Sequence, residues 1–155
     1  MKLIKIFRAS ATALCCLLAL ISCRQGPDAA SGLLAPVDVK VVDHLVAVLG
    51  HESCVLELVD PASGEKVKSI RLAQPPNGMA VDGATAYVVE GGPRGAVEVV
   101  DLESGALKRS FPAGHTPMSP VVRGGKLYVA CRFDSRVLEM DAATGTVLDS
   151  WNVPR

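Results

Sequence analysis

After residue 36 the sequence repeats itself at a nearly constant spacing. An Asp-x-x-x-Gly element occurs three times, beginning at Asp60, Asp101 and Asp141. A repeat of roughly 40 residues that is rich in turn signals is typical of β-propeller blades, each built from four short antiparallel strands. We therefore predict an all-β fold made of about three blades, which cover residues 37–74, 78–115 and 119–155.

Each repeat is predicted to contain four strands. In the second repeat they cover about residues 78–81, 86–89, 96–100 and 106–111. The Asp carboxylate of the repeated element can accept backbone N–H groups within a turn, and the glycine can adopt the positive φ that closes the hairpin. Residues 55–59 and 96–100 are almost wholly apolar. Apolar residues on both faces fit a sheet packed between two others, as in a propeller. The alternative is a β-sandwich, but its strands would not need to repeat at a fixed spacing.

The markers of the third repeat do not all keep the same spacing. Short apolar runs begin at Val46, Tyr87 and Tyr128, which are evenly spaced along the chain. Glu57, Glu98 and Glu139 keep the same interval, but Asp141 comes one residue early relative to Asp101. Two interpretations are open: a residue is missing just before the third turn, or Glu139 faces the other side of its sheet.

Residues 127–145 resemble the YVTN-type propeller repeat. Their sequence is Leu-Tyr-Val-Ala-Cys-Arg-Phe-Asp-Ser-Arg-Val-Leu-Glu-Met-Asp-Ala-Ala-Thr-Gly, in which a Tyr-Val strand leads to a strand that ends in Asp-x-x-Thr-Gly. The resemblance covers about residues 37–155 and departs from the family pattern at Cys131, where Asn is common, and at Ala84-Thr85. The ending Leu148-Asp-Ser-Trp151 is similar to the quinoprotein-type repeat.

The amino terminus has the organisation of a signal peptide. Three basic residues within the first eight precede an apolar run over residues 9–21, which is shorter than the roughly 20 residues that a transmembrane helix needs. Leu20-Ile-Ser-Cys23 then resembles the bacterial lipobox. We predict a lipoprotein signal peptide over residues 1–22, a lipidated Cys23 with a flexible tether over 23–35, and propeller repeats over 36–155.

The lipobox resemblance also implies a location. A lipidated Cys23 places the protein in a bacterial cell envelope, bound to the membrane through several acyl chains. Arg24 is not the Asp that usually retains lipoproteins in the inner membrane, so the expected site is the outer membrane. Whether the protein faces the periplasm or the cell surface is left open.

Composition and motifs exclude several classes of function. Without residues 1–22 the chain has 13 basic and 16 acidic residues, and a mildly acidic chain with 4% aromatic residues does not fit a nucleic-acid surface. Outside the signal and Cys23, the cysteines are Cys54 and Cys131, too few for a disulfide framework. Zinc, haem, P-loop and nucleophile-elbow motifs are absent. We predict no cofactor and a non-enzymatic role.

Four basic residues form a candidate rim for a ligand or partner. Arg94, Arg132 and Arg136 follow the second strands of neighbouring repeats, and His115 lies between two repeats. If these loops share one edge, the rim could bind an anionic protein or small molecule. The alternative is an ordinary solvated rim.

The leading hypothesis is therefore a lipid-anchored, extracytoplasmic binding or scaffolding module. The alternatives are a fragment of a quinoprotein-like or lactonase-like propeller enzyme, and an outer-membrane assembly-type lipoprotein propeller that binds by strand addition. Propellers usually close with four to eight blades, so we expect an incomplete propeller, either truncated or completed by further copies. Exposed faces of the outer blades would favour self-association.

Overall fold

A computed structural model describes residues 34–153, which form three four-stranded antiparallel sheets. The all-β propeller-type fold is thereby confirmed, and the strands of the second repeat were predicted to within two residues. Among residues 34–153 there is no helix that could span a membrane. The predicted signal peptide and Cys23 lie outside the described residues.

The strands, in chain order, are β1 (Pro36–Val42), β2 (Leu45–Gly50), β3 (Val55–Val59) and β4 (Lys66–Arg71) in blade 1; β5 (Pro76–Asp82), β6 (Thr85–Glu90), β7 (Ala96–Asp101) and β8 (Leu107–Pro112) in blade 2; and β9 (Pro117–Arg123), β10 (Lys126–Cys131), β11 (Arg136–Asp141) and β12 (Val147–Asn152) in blade 3.

The repeated Asp-x-x-x-Gly element forms the turn between the third and fourth strands of each blade. In blade 3, Asp141 Oδ1 accepts the backbone N–H groups of Ala143 and Thr144 at 3.0 and 2.7 Å. Gly145 has a φ of 75°, and its N–H donates to the Asp141 carbonyl at 2.8 Å. The turn chemistry predicted from the sequence is therefore present.

The core lies between the blades, where it divides into two clusters. Val88 and Val100 of blade 2 pack against blade 1, whereas Val89 and Val97 pack against blade 3. All four side chains are fully buried. The apolar strands of the middle blade thus bury both faces, which explains why they lack the alternation of a half-exposed strand.

One extra residue in the β6–β7 loop accounts for the uneven spacing of the repeats. Five residues separate Glu90 from Ala96 in blade 2, whereas four separate Cys131 from Arg136 in blade 3. As a result Leu138, not Glu139, lies at the position of Glu98. Of the two interpretations, the second is correct: Glu139 faces the opposite side of its sheet.

The same extra residue corrects the assignment of Val46. Strand pairing places Ala47 opposite Leu58, as Tyr87 is opposite Val99 and Tyr128 opposite Glu139. The residue equivalent to the two tyrosines is therefore Ala47, and the predicted marker was wrong by one position. Equivalent residues that precede the β6–β7 loop, such as Ala47 and Tyr87, are one residue closer in sequence than those that follow it, such as Leu58 and Val99.

The outer faces of blades 1 and 3 are not covered by any residue of the described part of the chain. Val41 on the outer face of blade 1 is 77% exposed, and Trp151 on that of blade 3 is 42% exposed. These are the two faces that a neighbouring blade would cover in a longer array. Self-association through them remains a prediction.

Candidate functional site

The linker between blades 2 and 3 brings two loops together at one end of the sheets. The Thr116 N–H donates to the Gly92 carbonyl at 2.7 Å, and the Thr116 carbonyl accepts the Arg132 N–H at 3.2 Å. Gly92 belongs to the β6–β7 loop and Arg132 to the β10–β11 loop. The linker, residues 113–116, thus joins the loop that carries Arg94 to the loop that carries Arg132, whereas Arg136 is the first residue of β11. We call the linker and these two loops, residues 91–95 and 132–135, together with Arg136, the rim.

An exposed aromatic side chain lies at the centre of the rim. Phe133 is 61% exposed. The ring centroid of His115 lies 5.0 Å from that of Phe133, and the guanidinium carbon of Arg132 lies 5.4 Å from the same centroid. Two of the predicted residues therefore flank a phenylalanine that sequence analysis did not select. The signal that could have identified it was a phenylalanine between Arg132 and Asp134 in a predicted loop.

Asp134 connects the remaining parts of the rim. Its Oδ2 accepts the backbone N–H of His115 at 2.9 Å and lies 3.4 Å from Nη2 of Arg136. The Nε of Arg136 is buried and has no hydrogen-bond partner among the described residues. Asp134 therefore fixes the linker and partly neutralises one arginine, a role that the sequence alone did not indicate.

Arg94 reaches the same region from blade 2. It lines an open hollow of about 590 Å³ together with His115 and Asp134. Arg132 and Arg136 line a second hollow of about 320 Å³. The structure thus brings Arg94 and His115 to one hollow and Arg132 and Arg136 to another, with three arginines and the Asp134 carboxylate in total. Such a surface can bind a carboxylate or a phosphate group.

The cysteines do not add a reactive group to the rim. Cys54 and Cys131 are both free. Cys131 is fully buried, and its Sγ donates to the Ala113 carbonyl at 3.0 Å. Burial raises the pKa of this thiol, which disfavours the thiolate that a nucleophile needs. Within residues 34–153 no group of three or more His, Cys, Asp or Glu side chains could hold a metal ion.

Sequence analysis missed two buried carboxylates between blades 1 and 2. Glu90 and Glu98 are 1% and 5% exposed. Glu90 accepts the Gln74 N–H at 3.2 Å and Glu98 accepts the Ala73 N–H at 3.4 Å, both through Oε2. Burial, with a contribution from the nearby Glu98, raises the pKa of Glu90 to about 7. For Glu98 the signal was a glutamate in the middle of an otherwise apolar buried strand.

Comparisons with known proteins support the fold. No protein-family model and no curated protein matches this chain in sequence. It is similar to solved structures of Kuenenia stuttgartiensis hydrazine synthase (TM-score 0.70, 20% identity, 81% of this chain and 38% of that one) and apo AztD from Citrobacter koseri (0.61, 20%, 76% and 34%). It is also similar to the RRP9 WD40 repeats (0.65, 18%, 79% and 40%). The chain therefore spans less than half of each, and the likeness shows a propeller-type repeat fold alone.

Proposed function

We propose that this chain is a lipid-anchored, extracytoplasmic propeller module of the YVTN type that binds an anionic partner at its rim without catalysing a reaction. The observation that carries the proposal is the exposure of Phe133 between Arg132 and His115. Aromatic residues, phenylalanine included, and arginine are enriched in protein interfaces relative to the rest of the surface. The fold by itself does not specify a function, so the argument depends on this cluster.

The charge of the rim supports an acidic partner. Arg94, Arg132 and Arg136 together outnumber the single carboxylate of Asp134. Arginine donates in a planar fork that matches carboxylate and phosphate geometry. The Phe133 ring offers an apolar contact between these donors, so a partner with an acidic group beside an apolar one fits best.

Lipid anchoring rests on the lipobox-like sequence that ends at Cys23. We expect labelled palmitate to enter the protein in growing cells, and Cys23→Ala to abolish both the labelling and signal-peptide cleavage. Cys16→Ala is the matched control, because it removes a thiol from the same segment outside the lipobox position. Full labelling of the Cys23→Ala protein would exclude the anchor.

Partner binding at the rim can be tested in intact cells with a photo-crosslinking amino acid at position 133. We expect discrete adducts that weaken when Arg132→Glu is combined with the crosslinker, because the substitution reverses a charge beside the ring. A crosslinker at Val67 is the control: this residue is 55% exposed and lines a hollow between blades 1 and 2 with Gly83 and Leu102. Equal adducts at both positions, or none at position 133, would contradict the proposal.

A further inference from the structure

At each interface between blades, a basic side chain on the fourth strand of one blade contacts the Asp-x-x-x-Gly turn of the next blade. Lys68 Nζ donates to the carbonyl of Leu102 at 3.1 Å and to that of Glu103, both in the Asp-x-x-x-Gly turn of blade 2. Arg109 donates in the same way to the Ala143 carbonyl in the turn of blade 3. The chain thus repeats one contact: a cation from one blade binds backbone oxygens in the turn of the next.

An apolar side chain two residues further along packs on the glycine of that turn. Ile70 is buried, and its Cγ1 would lie 3.6 Å from a Cβ placed on Gly105. Phe111 is also buried and occupies the space that a Cβ on Gly145 would need. The turn glycines therefore serve two purposes, since they adopt a positive φ and also receive the side chain of the preceding blade.

Blade 3 keeps the apolar residue but reverses the charge. Strand pairing places Asp149 at the position of Lys68 and Arg109, and Trp151 at the position of Ile70 and Phe111. Trp151 is stacked on Tyr128, with ring centroids 6.1 Å apart, and remains partly exposed. The side chain that should bind carbonyl oxygens of a following turn is therefore an acceptor instead of a donor.

The register of Glu139 adds to this negative charge. Glu139 lies directly opposite Asp149 on the neighbouring strand, and like charges in such a pair repel. Lys126 forms an ion pair with Glu139, but Asp149 has no ion-pair partner among residues 34–153. We call the surface formed by Tyr128, Glu139, Asp149 and Trp151 the acidic blade face; its two carboxylates and one neighbouring lysine leave a net negative charge.

The turn of blade 1 is the surface that a second copy would offer to this face. Nothing lies within 4 Å of a Cβ placed on Gly64, so the turn has room for a tryptophan. The carbonyls of Pro61 and Ala62 correspond to those that Lys68 contacts in blade 2. In a head-to-tail pair the Asp149 carboxylate would face these oxygens, and two acceptors cannot share a hydrogen bond.

We propose that the acidic blade face binds a propeller turn that presents a basic side chain in the same turn as a glycine, and that Asp149 weakens head-to-tail addition of a second copy. Trp151 would pack on the glycine of the partner turn, as Phe111 packs on Gly145. Asp149 would pair with the lysine or arginine and so replace the contact that Lys68 and Arg109 make with carbonyl oxygens. None of the four residues of this surface belongs to the rim, although Val137, the strand partner of Trp151, also lines the hollow of Arg132 and Arg136.

The probe for this proposal is a second copy of the chain with a lysine in its blade 1 turn. Ala62 is exposed, so Ala62→Lys adds the required cation without disturbing the core. For the full chain in nonionic detergent, we expect sedimentation velocity to show self-association about fivefold tighter than wild type, the size expected for one partly exposed ion pair. Ala62→Glu is the matched control and should not tighten association.

A second variant shows whether Asp149 is the residue responsible. Asp149→Asn in the Ala62→Lys background should remove the gain, whereas Asp149→Arg alone should tighten association by restoring the contact of the inner interfaces. Equal association of Ala62→Lys and Ala62→Glu, no association of any variant, or a gain that survives Asp149→Asn would overturn the proposal. Arg94→Glu, in the β6–β7 loop of the rim and away from β11 and β12, should leave all these values unchanged, so failure here is distinguishable from failure at the rim.

Discussion

The two interfaces between blades use the same backbone positions with different chemistry. Between blades 1 and 2 the buried side chains at two equivalent positions are Glu90 and Glu98, whereas between blades 2 and 3 they are Cys131 and Leu138. The carboxylates accept N–H groups of the linker before blade 2. The Cys131 thiol instead donates to a carbonyl of the linker before blade 3.

This difference shows that the blade repeat fixes the geometry of an interface but not its polarity. Each linker needs its backbone groups paired, and either a carboxylate acceptor or a thiol donor can meet that need. The acidic solution has a cost, because burying a charge without a cation nearby is unfavourable. No cation lies within ion-pair distance of Glu90 or Glu98 in the described part of the chain.

The largest expected effect comes from moving a carboxylate into the apolar interface. Leu138→Glu would bury a charge in the blade 2–3 core, where Leu138 is 4% exposed, and we expect it to lower the free energy of unfolding at pH 8 by about 3 kcal/mol or more. Chemical denaturation measures this loss. Leu138→Gln is the matched control, because it has nearly the same shape without the charge. An equal loss for both variants would show that packing, and not charge, limits this interface.

The repeat made most of the fold predictable from the sequence. The three Asp-x-x-x-Gly turns mark the same point in every blade, so four strands could be placed between successive turns. The extra residue in the β6–β7 loop could not be located in this way, because Gly91-Gly92-Pro93 gives no marker to align. The side that Glu139 faces could therefore be determined only from the strand pairing in the structure, and so could the acidic blade face.

The candidate site was predictable only in part. Arg94 and Arg132 could be assigned to loops at one edge because these loops follow equivalent strands, and His115 to the linker between blades 2 and 3, but Arg136 is the first residue of β11 and not a loop residue. The contacts of Phe133 and Asp134 depend on how the 113–116 linker folds between two loops, which no periodic pattern describes. Glu90 was missed because a glutamate at the last position of a strand is usually exposed, and here the preceding linker covers it.

The smaller expected effect is a pH dependence that belongs to the acidic interface alone. Burial, followed by the charge of Glu98, raises the pKa of Glu90 from an ordinary value of 4.5 to about 7, and burial raises the pKa of Glu98 in the same direction. Between pH 4.5 and about pH 7, the ordinary and the raised pKa of Glu90, the folded state binds more protons than the unfolded chain. The free energy of unfolding therefore falls as the pH rises through the folded pKa. From pH 6 to pH 8 we expect the free energy of unfolding to fall by about 1 kcal/mol.

Glu90→Gln tests the origin of this dependence, because it keeps the shape of the side chain and removes the titration. Chemical denaturation of the two proteins at several pH values should show a falling stability for the wild type and a much flatter profile for the variant. Asp134→Asn is a suitable control, since it removes a carboxylate from the rim and should leave the slope between pH 6 and pH 8 intact. If Glu90→Gln keeps the wild-type slope, the two interfaces do not differ in the way that their buried side chains imply.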